Sequence, residues 1–243
     1  MDINEIVSKI TSEVVAQISA SPCAAHQTSI AGMIEHSVMN PDVSRDKVVE
    51  ACRDVKELGF ANICVTPYYV PTAVENGDGI AVCTAIAFPH GAATTAAKVE
   101  EIREAIINGV RELDVSINIL AIKSGDLDEA KRDLDAMIRA SRGRAVIKAI
   151  FEQCMYSETE KIQVLEMAKE AGVDYIKISN ALSGKKASAE DVRFVRGVLG
   201  STIGIKIDGS ISDEKTIREL AAAGACRFGC SRSVQIVNSL KTH

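Results

Sequence analysis

The chain has 243 residues, of which 47% are apolar and 25% charged, with a net charge of −5. That length suits one α/β barrel or a modest two-domain protein, and that balance allows a large core and excludes general disorder. There is no basic block, which argues against nucleic acid or an anionic membrane as partner, and no apolar run approaches the ~20 residues of a membrane span.

Helical spacing at Ile3, Ile6, Val7, Ile10, Val14, Val15 and Ile18 predicts an N-terminal helix over about 3–20, closed by Ser21-Pro22. Beyond it, short apolar runs alternate with amphipathic stretches. The predicted strands are Ile30–Ile34, Ala61–Thr66, Ile80–Ala87, Glu112–Ile117, Ala145–Ile150, Tyr175–Ser179, Ile203–Ile207 and Cys226–Gly229. Ser44, Ser157, Ser188 and Ser212 stand as start signals before four of the intervening helices. Gly59, Gly109, Gly172, Gly200 and Gly224 close helices just before the next strand. Eight alternating βα units predict a (β/α)8 TIM barrel with an extra N-terminal helix. The whole of 1–243 then reads as one domain, with 1–22 a helical extension. A doubly wound open sheet is the alternative, but no GxGxxG follows the first strand.

The seven cysteines are scattered without a CxxC pair; Cys64, Cys83, Cys154 and Cys226 lie in or beside apolar runs and read as small core residues, in a reduced, cytoplasmic protein with no structural zinc. The opening Met1-Asp-Ile-Asn-Glu5 lacks the basic start of a signal peptide.

Three lysines, Lys148, Lys177 and Lys206, sit at or near the ends of three consecutive strand-like runs. Strand ends are where such barrels hold their chemistry. An amine there, partly dried and crowded by another cation, is pushed toward its neutral, nucleophilic form. Taking a lysine from about 10.4 to about 7 needs roughly 4–5 kcal/mol, and desolvation with one nearby cation supplies it. Lys206, on the strand next to that of Lys177, is the obvious cation. The plain alternative is that these lysines end strands and reach into water, or pair with a carboxylate and react with nothing.

Asp114 interrupts Glu112-Leu-Asp-Val-Ser-Ile117. Period-two alternation puts Glu112, Asp114 and Ser116 on the barrel interior and Leu113, Val115 and Ile117 toward the helices. An interior aspartate needs a partner, with Lys148 favoured, and a carboxylate beside an amine relays protons; a structural Asp–Lys pair explains it nearly as well. The loops after the last two strands, Asp208-Gly-Ser-Ile-Ser212 and Gly229-Cys-Ser-Arg-Ser233, have the glycines and hydroxyls of an anion site. Arg232 adds a fork, and Asp208 opposes an anion if it points the same way. His36 and His90 have no spaced partner ligand and read as satisfied histidines near strand ends. Cys230 would have a lowered pKa if a helix starts there.

These pieces together resemble deoxyribose-phosphate aldolase, a family of class I aldolases built on a (β/α)8 barrel. The resemblance runs from about Ile30 to Ile236. It is carried by Ile34-Glu-His-Ser-Val-Met-Asn-Pro41, Phe60-Ala-Asn-Ile-Cys-Val-Thr-Pro67, Tyr69-Val-Pro71, Phe88-Pro-His-Gly91 and Gly109-Val-Arg-Glu-Leu-Asp114. It continues through Ile147-Lys148, Ala171-Gly-Val-Asp-Tyr-Ile-Lys177, Gly204-Ile-Lys206 and Arg227-Phe-Gly229. The resemblance implies that Lys177 forms the Schiff base, that Lys206 depresses its pKa, that Asp114 shares in proton transfer, and that Lys148 is the usual lysine of the fifth strand. It implies reversible cleavage of 2-deoxy-D-ribose 5-phosphate to acetaldehyde and D-glyceraldehyde 3-phosphate, with no metal or cofactor. Ser179, Gly209, Ser210, Gly229, Ser231 and Arg232 fall where substrate and phosphate would bind.

The chain departs from the family around those contacts. Lys177-Ile-Ser-Asn-Ala181 lacks both threonines and the glycine of the family's Lys-Thr-Ser-Thr-Gly. Asp208-Gly209-Ser210 stands for a Gly-Gly turn, Ser212 for a frequent arginine, and Gly229-Cys-Ser-Arg232 for Gly-x-Ser-Ser. Glu35-His-Ser37 stands for Asp-His-Thr and Asn40-Pro41 for Lys-Pro. Such changes alter substrate discrimination. Two other functions stay open from sequence. One is a barrel isomerase or lyase on another phosphorylated sugar, using Asp114 with His36 or His90. The other is an inactive sugar-phosphate-binding relative. The expected partner is a small sugar phosphate or aldehyde, not nucleic acid or membrane, in a homo-oligomer with a dimer among the states left open.

Overall fold

A computed structural model describes residues 29–141, 143–209 and 211–240. The expected N-terminal helix, the extension over 1–22 and Ser210 lie outside the described residues. A helical turn α1 (Ile30–Met33) leads into β1 (Ile34–Val38), followed by α2 (Arg45–Leu58), β2 (Asn62–Val65), α3 (Val70–Asn76), β3 (Val82–Ile86) and α4 (Thr95–Ile107). Next come β4 (Glu112–Ser116), α5 (Ile119–Lys123), α6 (Leu127–Ser141), β5 (Val146–Glu152), α7 (Glu158–Ala171) and β6 (Tyr175–Ser179). The described residues end with α8 (Ala189–Leu199), β7 (Gly204–Asp208), α9 (Glu214–Ala222), β8 (Arg227–Cys230) and α10 (Ser233–Leu240).

The strands close in sequence order into one parallel barrel, with β8 beside β1. Closure leaves no strand edge unpaired. The strand sequences explain how both faces are buried. In β6 and β7, Ile176, Ile178, Ile205 and Ile207 join the apolar layer under the helices, while the residues between them turn inward. The outer helices are started by side-chain caps at Ser44, Ser157 and Ser188. Each cap contributes about 1 kcal/mol. Gly59 and Gly172 end α2 and α7 in the left-handed conformation, at φ 72° and 80°. Between α4 and α6, buried Lys98 meets Asp133 at 2.5 Å, and Thr95 donates to the same carboxylate at 2.7 Å.

Seven of the expected strands match the observed ones to within two residues at either end. The first does not: the chain is helical over Ile30–Met33, and the strand begins at Ile34. The strand Glu35-His-Ser-Val38 carries its charge on the barrel interior, so it lacks an apolar run. Asp213, rather than Ser212, caps α9 through Thr216. Cys52, Cys64, Cys83, Cys154 and Cys230 are free thiols, whereas Cys226 is disulfide-bonded, against the expectation of a reduced chain. No described helix is long and apolar enough to cross a membrane.

Candidate active site

Alternation places the polar residues of β4 inside the barrel, as expected, and register brings their partners to them. Asp114 pairs with Lys148, Lys177 with Lys206, and Lys206 with Arg227 across neighbouring strands. All three lysines lie near mid-strand and are buried, so they do not snorkel. Lys177 Nζ donates to Asp114 Oδ2 at 2.8 Å, and Lys206 Nζ donates to the same oxygen at 2.7 Å. Lys206 also pairs with Glu35. Lys148 Nζ lies 2.6 Å from Glu112 Oε2, 2.9 Å from Glu35 Oε1 and 3.3 Å from Asp114 Oδ1. The favoured Asp114–Lys148 pair is therefore the longest ion pair of that lysine, and the principal partners of Asp114 are Lys177 and Lys206. Arg227 approaches Glu35 at 3.7 Å and Glu112 at 3.6 Å.

One further carboxylate completes the network. Asp208, the last residue of β7, places Oδ2 2.5 Å from Lys177 Nζ. Four cations (Lys148, Lys177, Lys206, Arg227) thus face four carboxylates (Glu35, Glu112, Asp114, Asp208). This balance decides the charge states. Burial works against the Lys177 ammonium and Lys206 repels it, but Asp114 and Asp208 together outweigh both, so its pKa lies above the ordinary lysine value. The expectation of a resting amine driven neutral by Lys206 is therefore corrected. Lys206 acts in the expected direction, and two carboxylates overcome it. Burial also opposes the charges on Asp114 and Glu35, yet the lysines hold Asp114 well below the carboxylate range and Glu35 at about 2.

Asp208 does not point into an open anion loop, as its position in sequence allowed. Its carboxylate turns toward Lys177, takes a hydrogen bond from the Gly209 amide at 3.1 Å, and fills the space where a Cβ of residue 229 would sit. The Phe88 ring lies over Lys177, 5.7 Å from Nζ to the centroid. A cavity of about 240 Å³ opens beside Asp208, lined by Ser179, Asn180, Ala181, Lys185 and Gly209.

The expected substrate residues are divided. Ser179 and Gly209 share that cavity, although Ser179 is buried and its hydroxyl is engaged by Glu152. Ser231 lines a different cavity, beside His36. Gly229 faces Asp208. Arg232 is exposed, and its guanidinium makes no hydrogen bond or ion pair among the described residues.

His36 alternates with Glu35 and so points away from the interior; it stacks on Phe60 at 5.6 Å and pairs with Ser233. His90 is exposed. Among the described residues neither contacts Asp114, which removes the geometric basis for acid–base chemistry by such a pair. Burial raises the Cys230 thiol pKa, opposite to the expected lowering. Cys64, Cys83 and Asp114 are the described trio close enough to share a metal ion. They do not fit a cation: Asp114 is held by three ammonium groups, one of which, Lys148, also lies 3.4 Å from Cys83 Sγ.

Sequence reasoning put Glu112 on the barrel interior without a partner and Asp208 in an anion loop, and it missed Glu35 and Arg227. A signal existed for Glu35 and Arg227, since both lie in segments that carry the family resemblance. Asp208 lies where the chain departs from it.

Comparisons with known proteins give the family and the fold. The model of the DeoC/LacD family of aldolases matches residues 26–232. The chain is 39% identical to the deoxyribose-phosphate aldolase of Geobacillus sp. (strain WCH70) over 213 residues, covering 87% of this chain and 96% of that protein. It is 37% identical to that of Listeria welshimeri over 215 residues, covering 88% and 96%. Among solved structures it resembles QR15, an aldolase, at TM-score 0.84 and 31% identity, covering 89% of this chain and 97% of that one. The deoxyribose phosphate aldolase of Aeropyrum pernix shares the fold at TM-score 0.81 and 22% identity, over 94% and 97%.

Proposed function

Because this chain belongs to the DeoC/LacD family of aldolases, we propose that it is a class I aldolase cleaving 2-deoxy-D-ribose 5-phosphate reversibly to acetaldehyde and D-glyceraldehyde 3-phosphate, or acting in the same way on a related aldehyde. The observation that carries this reading is a single one. The Lys177 amine is buried beside a second lysine, and both are held by one carboxylate, on the strands where the family resemblance puts its Schiff base.

The chemistry follows from those groups. The neutral Lys177 amine adds to the substrate carbonyl, and loss of water gives an iminium. The positive nitrogen then accepts the electron pair of the breaking carbon–carbon bond as the substrate hydroxyl gives up its proton. D-glyceraldehyde 3-phosphate leaves, and an enamine remains on Lys177. Protonation at carbon restores an iminium, whose hydrolysis releases acetaldehyde. Lys206 opposes the positive charge on Lys177, and Asp114 holds both nitrogens in reach of exchangeable protons. Lys148 fixes Asp114 from its other oxygen. Gly209 and Ser179 are proposed to meet the substrate in the cavity beside Asp208. Ser210, Gly229, Ser231 and Arg232 are proposed for the phosphate end. The ligand is a small sugar phosphate or aldehyde, in a cytoplasmic, homo-oligomeric enzyme.

Acetaldehyde release from 2-deoxyribose 5-phosphate and from 2-deoxyribose tests the reading. Release from at least one is expected, and release from neither would overturn it.

A further inference from the structure

We propose that Asp208 is a catalytic residue that exchanges protons between the Lys177 nitrogen, the carbinolamine oxygen and water at the barrel mouth. This rests on the Schiff-base reading above. It adds a carboxylate from the segment where the chain departs from its family.

Three observations carry it. First, Asp208 touches the reacting atom: Oδ2 is 2.5 Å from Lys177 Nζ, while Oδ1 is fixed by the Gly209 amide at 3.1 Å. Second, Asp208 is the network carboxylate open to solvent at this end. Its side chain is 25% exposed, against none for Glu35 and Asp114. Glu112 is 8% exposed but begins β4, at the opposite end of the barrel. Asp114 therefore moves protons only within the interior, whereas Asp208 connects Lys177 to water. Third, the cavity of about 240 Å³ adjoins Asp208 and leaves room for a small aldehyde. Gly229 supplies the space the carboxylate occupies.

The groups facing Asp208 are Lys177 from β6, Lys206 from β7, Asp114 from β4 and Cys230 from β8. Lys185 from the loop after β6 lines the same cavity.

The proton ledger closes. The ammonium N–H bond breaks and an O–H bond forms on Asp208. The amine pair forms the C–N bond, the carbonyl π pair moves to oxygen, and that oxygen takes the proton from Asp208. Asp208 then removes a second proton from nitrogen and delivers it to the hydroxyl. The C–O bond breaks, water leaves, and the nitrogen pair forms the iminium. Lysine ammonium and aldehyde become iminium and water, and Asp208 returns to its carboxylate form.

The test is the rate of iminium formation with acetaldehyde, read as borohydride-trapped mass on Lys177. Asp208→Asn keeps an acceptor for Gly209 but takes no proton. Asp208→Ala opens space for formate, and Asp208→Ser is the companion should either fail to fold. Each folded variant is expected to form the iminium about 100-fold more slowly, with formate restoring Asp208→Ala and not Asp208→Asn. A rate within about twofold of the unsubstituted enzyme, or slowing in Asp208→Ala that formate does not relieve, would overturn the proposal. Failure of the unsubstituted enzyme to trap at Lys177 would instead overturn the Schiff-base reading beneath it.

Discussion

Lys177 and Lys206 donate to one and the same oxygen, Oδ2 of Asp114, at 2.8 and 2.7 Å. Their nitrogens can be no farther apart than the sum of those two bonds. Each ammonium raises the cost of the other, and the shared carboxylate offsets both together with Asp208 on Lys177 and Glu35 on Lys206. When Lys177 gives up its proton, Asp114 remains paired with Lys206, so the neutral amine appears without leaving a buried carboxylate alone.

Replacing Lys206 tests the electrostatic half of that relationship. Lys206 lowers the proton affinity of Lys177, so Lys206→Met is expected to raise it. The pH at which kcat/KM rises with amine ionisation should then move upward. A pH–rate profile checks the shift, and an unmoved profile would contradict it.

Asp114→Asn should cost stability as well as rate, because it leaves buried lysines with one fewer anion. Breaking such a pair costs about 3–5 kcal/mol, and melting should fall on the order of 10 °C. Calorimetry on the folded variant is the check; an unchanged Tm contradicts the arrangement.

The buried network also sets the pH range of stability. The Glu35 pKa is held at about 2 in the fold, below the ordinary value of 4.5. A depressed acid stabilises the fold above its unfolded pKa, and that stability is lost as pH falls from about 4.5 toward 2. Lys148 and Lys206 are raised, so their contribution is complete below about 10.4 and is lost only as pH climbs through their higher folded values. Urea midpoints should be level across neutral pH and fall on the acid side. A midpoint that rises on acidification would contradict this.

Gly229→Ala removes no charge and moves one, the Asp208 carboxylate. The new Cβ would overlap Asp208 Oδ1, the free end of a side chain that can swing aside. Activity should fall about 10-fold or more while the melting temperature changes little, since only the carboxylate is displaced. Unchanged activity would show that the position of Asp208 is immaterial.

Arg232→Ala addresses the phosphate end. With its guanidinium free of partners among the described residues, Arg232 is proposed to recognise charge. Its loss should raise KM for the phosphorylated sugar about 10-fold, the equivalent of roughly 1.4 kcal/mol, and leave the unphosphorylated one unaltered. An unchanged preference between the two would end that role.

Much of this was legible in sequence, for reasons that particular residues make plain. The isoleucines flanking Lys177 and Lys206 mark strands, and the glycines before them mark helix ends. The register of eight such units then brings the two lysines together. Glu35 was harder to see, because its strand is polar and its partners come from strands far along the chain. Asp208 could be seen as a charge but not as a direction: only the glycine at 229 and the reach of Lys177 turn it inward. For the same reason the charge state of Lys177 was misread. Sequence offered Asp114 as a carboxylate partner but not Asp208, and the two together raise the Lys177 pKa.

The most direct test is reductive trapping. Incubation with acetaldehyde and borohydride, followed by peptide mass mapping, should replace one N–H of Lys177 by N-ethyl, a net gain of C2H4, with none gained at residue 177 in Lys177→Ala. Label absent from every lysine, or carried by a lysine other than Lys177, would contradict the account.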